Sequence, residues 1–274
     1  MNFIEILKAF FLGIIEGITE WLPISSTGHM LLVDEFLQLD MSEEFKEMFF
    51  VVIQLGAILA VVSVFFKRML PFELNNGLKI KEETVSLWLK VVIACVPGAV
   101  VTILFDDFIE SRLHTPVVIA MTLIIYGIAF IVIENSAKDK IPKTNRLEQI
   151  SCKEALLIGL FQVLSIIPGT SRSGSTIIGA LLIGVSRVAA AEFTFFLAVP
   201  VMFGLSALKL LDFGFSFTKD EAVILLVGCV TAFAVSLGVV KFLMNYIRKK
   251  DFRLFGVYRI VLGAVVLAYF LIFK

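Results

Sequence analysis

Eight long apolar stretches run along the 274-residue chain, and six of them are uninterrupted. The six lie near 49–66, 88–105, 116–134, 193–211, 222–243 and 254–273. Each is close to the roughly 20 residues that a helix needs to cross a bilayer. The pattern predicts six spanning helices. The other two stretches, about 4–32 and 155–190, are broken near their middles by Pro, Gly and hydroxyl residues. Irregular backbone at membrane depth is tolerated only where protein buries it or a wet cavity adjoins it. These two stretches are therefore where the pattern departs from plain anchoring.

Loop charge orients the spans. Segment 67–90 carries Lys67, Arg68, Lys79, Lys81 and Lys90; 138–153 carries Lys138, Lys140, Lys143, Arg146 and Lys153; 241–253 carries Lys241, Arg248, Lys249, Lys250 and Arg253. Segment 34–47 instead holds Asp34, Glu35, Asp40, Glu43, Glu44 and Glu47 against Lys46, and 106–112 holds Asp106, Asp107 and Glu110 against Arg112. The positive-inside rule places the basic segments in the cytoplasm and the acidic ones outside. All six spans alternate consistently on that basis. Both ends of each broken stretch then fall on one side, so each is expected to be a re-entrant helical hairpin. The first dips from outside and the second from the cytoplasm, with both termini outside.

The two broken stretches also match each other at an offset of 146 (159 − 13). Gly13 aligns with Gly159, Glu16 with Gln162, Ser25 with Ser171 and Gly28 with Gly174. Ala9 meets Ala155, and Phe49-Phe50 meets Phe195-Phe196. The expected architecture is an all-α integral membrane protein, one membrane domain over 1–274 built from two inverted repeats (about 1–135 and 150–274). Such repeats place a site at their interface near the midplane.

Composition agrees and narrows the class. The chain is 59% hydrophobic and 18% charged, against about 25% charged for soluble domains. Its net charge of +0 gives a nucleic-acid partner no support. Cys95, Cys152 and Cys229 are too scattered for a disulfide framework or a metal site. No cleavable signal pattern is evident, and no extramembrane segment is long enough for a soluble domain.

Chemistry concentrates in the two breaks. Glu16 and Glu20 are four apart and share a helical face. Pro23 ends that helix, and Ser25, Ser26 or Thr27 can cap the next one, which carries His29. Two membrane-embedded carboxylates can bind a divalent cation, act as a general base or share a proton; they can also be a structural helix–helix pair. His29 beside Ser25 and Ser26 is a candidate general acid/base or nucleophile. His114 lies in a short external loop with no partner chemistry. In the second break, Pro168 ends a helix, Gly169 lets backbone amides approach a ligand, and Thr170, Ser171, Ser173, Ser175 and Thr176 surround Arg172. Small residues at a helix N-terminus beside a guanidinium suit phosphate oxygens. No Lys follows the second glycine, so the pattern is not the nucleotide P-loop. Arg172 can equally pair with Glu16 or Glu20.

At these residues the chain resembles the bacterial undecaprenyl pyrophosphate phosphatases of the bacitracin-resistance type. Glu16-xxx-Glu20 with Pro23 and Ser25-Ser26-Thr27-Gly28-His29 looks like that family's first signature. Pro168-Gly169-Thr170-Ser171-Arg172-Ser173 with Thr176 looks like its second. The likeness covers the whole length. It implies a plasma-membrane enzyme, open to the outer face, that removes the terminal phosphate from C55 undecaprenyl pyrophosphate and depends on a divalent cation (Mg²⁺ or Ca²⁺). Carried over, Arg172 clamps the pyrophosphate with Ser171, Ser173 and Thr176, and Ser25, Thr27, Gly169 and Thr170 complete the binding set. Glu16 and Glu20 hold the metal or act as base. Ser26 or His29 attacks the terminal phosphorus, with Ser26 favoured and His29 moving its proton. A homodimer is compatible with all of this. The competing expectation is a transporter or flippase for a phosphorylated polyprenyl lipid, which would share the hairpins but would not need a nucleophile beside a base.

Overall fold

The computed structural model describes residues 3–73, 79–138 and 140–273, with backbone alone over 106–111. Among the described residues the fold consists of α1 (Phe3–Thr19), α2 (Ser26–Asp34), α3 (Glu43–Met69), α4 (Glu82–Leu113), α5 (Pro116–Ala137), α6 (Cys152–Val163), α7 (Arg172–Leu182), α8 (Arg187–Phe213), α9 (Lys219–Ile247) and α10 (Arg253–Phe273). A short ladder pairs β1 (Phe72–Glu73) with β2 (Lys79–Ile80). Six helices are long and apolar enough to cross a membrane: α3, α4 as far as Phe105, α5, α8, α9 and α10. They contain the six predicted spans. The chain is an all-α, multi-pass membrane protein.

The helices overrun the predicted spans because charged turns continue them. On α3, Ser42 Oγ accepts from Phe45 N at 3.2 Å, Glu43 and Glu44 fill the first turn, and Lys67 and Arg68 fill the last. That charge order complements the helix dipole. The largest correction falls on α4. The expected loop at 106–112 is helical through Leu113, because no glycine or proline interrupts it before Thr115-Pro116. There the Thr115 hydroxyl accepts from Val118 N at 3.3 Å and starts α5. The acidic side chains expected there, Asp106, Asp107 and Glu110, lie outside the described residues.

Polar contacts gather at the two ends of the bundle. At one end Arg68 bonds Glu148 and Glu192, each at 2.7 Å. Arg187 forks onto Glu134, which also accepts from Phe252 N at 3.0 Å. These bonds join the exit of α3 to the entries of α6 and α8, and the exit of α5 to the entries of α8 and α10, where the basic segments lie. At the other end Lys8 donates to Gln38 O (2.6 Å), Glu5 accepts from Asp40 N (2.9 Å), and Lys209 pairs with Glu47 (3.2 Å). In the α1–α2 pair, the start of α1 and the segment after α2 therefore lie together at this acidic end. In the α6–α7 pair, the segments before α6 and after α7 lie together at the basic end, where Lys143 N donates to Gly184 O and Ser186 N to Thr144 O, both at 2.8 Å.

The two pairs are built alike. Ser25 and Ser171 have positive φ, 72° and 70°, and no other described non-glycine residue does. Left-handed backbone is costly for a residue with a Cβ. Each serine turns it into a cap: Ser25 Oγ accepts from Gly28 N (3.4 Å) and Ser171 Oγ from Gly174 N (3.2 Å). Packing exchanges partners between the halves, with α1 on α9 and α6 on α4. Gly13 and Gly159 mark those contacts. A Cβ at Gly13 would come within 2.7 Å of Gly228 O, and one at Gly159 would collide with Ala94 O.

Candidate active site

The bends between α1 and α2 and between α6 and α7 are held in the middle of the bundle. Trp21 pins the first, fully buried and edge-on to Phe195 of α8 at 5.2 Å. Arg259 of α10 bolts both together. Its fully buried guanidinium donates to Pro23 O (3.3 Å), Gly169 O (2.9 Å) and Thr170 O (2.8 Å). It also lies 5.5 Å from the centre of the Tyr126 ring, a cation–π contact.

With the bends joined, Glu20 meets Arg172. Arg172 Nη2 donates to Glu20 Oε1 at 2.5 Å, and Glu20 Oε2 accepts from Ser26 Oγ at 2.9 Å. The guanidinium also touches Met202 Sδ (3.1 Å) and Ala198 O (3.4 Å) on α8. Ser173 Oγ lies 3.5 Å from Glu20 O and 3.2 Å from Ser171 Oγ. One turn back on α1, Glu16 lies beside Glu20, and its Oε1 is buried without a hydrogen-bond partner.

A cavity of about 560 Å³ opens on this cluster. Glu20, Ser26, Thr27, Gly169, Ser171 and Arg172 line its polar part, while Ile103 of α4 and Leu205 and Leu208 of α8 form an apolar wall. Those three side chains are 82%, 42% and 65% exposed. The wall thus runs out onto the surface of the bundle.

The predicted set is only partly gathered here. His29 Nδ1 lies 2.7 Å from Ser25 O and Nε2 lies 2.7 Å from Tyr258 Oη, with the two rings stacked at 5.6 Å. A ring nitrogen facing a carbonyl must carry the proton, so Nε2 accepts from the tyrosine. Ser26 therefore gives its hydrogen bond to Glu20, and the structure does not bring His29 to it. Thr176 is turned away as well. Its hydroxyl bonds Arg172 O (3.0 Å) and Thr194 Oγ1 (2.8 Å), because one turn along α7 places it on the face packed against α8. Ser25, Thr170 and Ser173 are buried beneath the cavity surface, where the first caps α2 and the second offers its carbonyl to Arg259.

Sequence reasoning passed over Arg259 and Tyr258. Arg259 did carry a signal, being the one charged residue between Leu254 and Phe273; an ionisable group at membrane depth is a functional candidate by default. Nothing in the sequence points from Tyr258 to His29.

Among the described residues no group of three or more His, Cys, Asp and Glu converges. The Glu16–Glu20 pair still fits a divalent cation of the Mg²⁺ kind, which takes one or two carboxylates and completes its shell with water and phosphate oxygens. The unpartnered Oε1 of Glu16 is the atom such an ion would satisfy.

A polytopic helical bundle with an acid–guanidinium pair facing a cavity of apolar exit belongs among membrane proteins with a buried polar centre. Comparison with known proteins narrows that class. Residues 9–265 match the family model described as bacitracin resistance protein BacA, and the chain belongs to that family. It is 68% identical over 269 residues (97% of this chain, 98% of the relative) to an Enterococcus faecalis protein named undecaprenyl-diphosphatase. Proteins of the same name from Lachnoclostridium phytofermentans and Desulfitobacterium hafniense are 61% identical (99% of each chain) and 59% identical (98% of each chain).

Proposed function

We propose that the protein is an undecaprenyl-diphosphatase, which hydrolyses undecaprenyl diphosphate to undecaprenyl phosphate and inorganic phosphate. Its relatives' name supports the substrate. One observation carries the chemistry: Glu20 offers one oxygen to the Ser26 hydroxyl and the other to Arg172, at the surface of a cavity with an apolar exit. A hydroxyl already donating to a carboxylate is a nucleophile beside its base. A carrier would need the guanidinium but not that pair.

In this reading Arg172 exchanges Glu20 for oxygens of the diphosphate, where its fork binds strongly. Ser26 Oγ attacks the terminal phosphorus and Glu20 takes its proton. The new Oγ–P bond forms as the bridging P–O bond breaks, and undecaprenyl phosphate departs with the electron pair. Glu20 passes that proton to the departing undecaprenyl phosphate. Water then attacks the phosphoserine phosphorus and gives a proton to Glu20. The Oγ–P bond breaks, Ser26 Oγ regains that proton from Glu20, and inorganic phosphate leaves. Glu16 and Glu20 would hold Mg²⁺ or Ca²⁺, which supplies positive charge to the phosphate oxygens. Positioning and charge stabilisation dominate phosphoryl transfer, and Arg259 contributes by fixing both bends.

The lipid tail would leave along Leu205 and Leu208, toward the end of α8 that carries Lys209. That is the acidic end, hence the outer face of a bacterial plasma membrane under the positive-inside rule. The matched serines, caps and glycines support two inverted repeats with re-entrant hairpins.

The test is phosphate release from undecaprenyl diphosphate by pure protein in detergent, abolished by chelation and restored by Mg²⁺ or Ca²⁺. Absence of release, together with movement of the lipid across vesicles, would establish the carrier instead.

A further inference from the structure

We infer that Gln162 is a second contact for the phosphoryl group being transferred, its carboxamide forming a neutral part of the cavity floor near Arg172; this rests on the phosphatase reading above. Gln162 stands on α6 where Glu16 stands on α1, 146 positions earlier (162 − 16). The side chain is 4% exposed, lines the cavity, and has an Oε1 without a hydrogen-bond partner. Native structures rarely leave a buried amide short of partners without a reason, such as a ligand or ion. Oε1 is an acceptor that water would meet, while Nε2–H, which makes no hydrogen bond among the described residues, is the group free to donate to a ligand in the cavity.

Packing does not ask for an amide at this position. The facing residue on α4 is Gly98, where a Cβ would come within 3.0 Å of Gln162 Nε2. Methionine or leucine would fill the space without an orphaned oxygen. The glycine clears room for the Gln162 side chain, and Ser165, Thr102 and Gln54 extend the same neutral polar lining.

Height along the helices identifies what the amide would touch. Arg172 meets α8 at Ala198 and Met202, while Gln162 meets α4 at Gly98. The apolar wall of Leu205, Leu208 and Ile103 lies further along these two helices, by about 4–15 Å at the helical rise. Both helices run from the basic end to the acidic end, so the wall lies outward of the Arg172 and Gln162 contacts. A lipid diphosphate with its tail on that wall has its terminal phosphate at the deep level and its ester-linked phosphate nearer the exit. Gln162 Nε2–H then donates to a terminal phosphoryl oxygen. A neutral donor suits this place, because a third carboxylate would repel the diphosphate and a second cation would retain the released phosphate.

The full-length protein in detergent, with undecaprenyl diphosphate as substrate and inorganic phosphate as competing ligand, tests the assignment. Gln162→Met keeps the volume and removes the amide. We expect kcat/KM to fall about tenfold to a hundredfold, the usual worth of a hydrogen bond to a charged group, and the inhibition constant of inorganic phosphate to rise by a similar factor. Values within twofold of wild type would overturn the inference. So would a lower kcat/KM with unaltered phosphate inhibition, which is what a purely structural glutamine would give. Should Gln162→Met not fold, Gln162→Asn, which withdraws the amide by one methylene, is held to the same two criteria. Wild-type protein that releases no phosphate would remove the phosphatase reading and this inference with it, whereas wild-type turnover beside an indifferent Gln162 variant removes the inference alone.

Discussion

Ser26 and Arg172 occupy the same place in the two hairpins. Each is the first residue of the helix after its bend, each follows a serine at positive φ, and they are 146 positions apart (172 − 26). Around them the same residue types recur at that offset: Gly13 with Gly159, Ser25 with Ser171, Gly28 with Gly174. The reactive positions are not. Glu16 faces a counterpart in Gln162, Glu20 in Ile166 and His29 in Ser175. Two identical acidic hairpins brought together would set like charges against each other in a buried place. Opposite loading instead makes the bends complementary, and Glu20 with Arg172 closes them into one composite site.

The comparison breaks most sharply at Glu20. Glu20→Gln keeps the shape but leaves one acceptor oxygen for both Ser26 and Arg172 and removes the charge and the capacity to take a proton. We predict a fall in kcat of about 10³-fold, within the range for a lost general base. Phosphate release assays should read it, alongside a melting curve confirming that the fold survives. Activity near wild type would mean that the first hairpin does not hold the base.

The second hairpin is tested by Arg172→Lys, which keeps the charge and loses the planar fork. Lysine cannot reproduce two-pronged recognition of phosphate, so kcat/KM should drop about a hundredfold. Equal activity of Lys and Arg variants would reduce the second hairpin's role to a point charge.

The frame itself is sharpened by paired substitutions. Ser25→Val and Ser171→Val each remove a cap and force a β-branched residue to positive φ. Each should cost roughly 1–3 kcal/mol, read by thermal unfolding in detergent, while the glycine variants should cost only a few tenths. If one hairpin tolerates valine and the other does not, their bends are not equivalent and the shared frame is a coincidence of dihedral angle.

How far the chain announced all this depends on the scale of the feature. Spans of about 20 apolar residues are readable because the bilayer sets their length. The bends were readable because Pro23 and Pro168 forbid one continuous helix, although α1 stops at Thr19 and α6 at Val163, several residues before them. A carboxylate partner for Arg172, Glu16 or Glu20, followed from chemistry that needs a partner at membrane depth, but which of the two did not. What escaped depends on tertiary direction. The α4 terminus ran past an acidic stretch that composition alone marks as a loop. His29 points where Tyr258 is, and that tyrosine is 229 residues away in the chain. Arg259 sat inside a stretch already read as a span, so its charge was absorbed into the hydropathy average.

Thr176 gives the smallest and most discriminating effect. The second motif invites every hydroxyl near Arg172 into the phosphate site, yet this one spends its hydrogen bonds on Arg172 O and Thr194 Oγ1 within the α7–α8 contact. Its counterpart 146 positions earlier (176 − 30) is Met30, so the frame does not require a polar group at this position. Thr176→Val keeps the shape and strands the Thr194 hydroxyl. The expected result is a loss of about 1 kcal/mol in stability with kcat/KM within about threefold of wild type. A tenfold fall in kcat/KM at unchanged melting temperature would instead place the hydroxyl within reach of substrate. That would require α7 to turn on ligand binding, and the second hairpin would then be the mobile partner of a fixed first one.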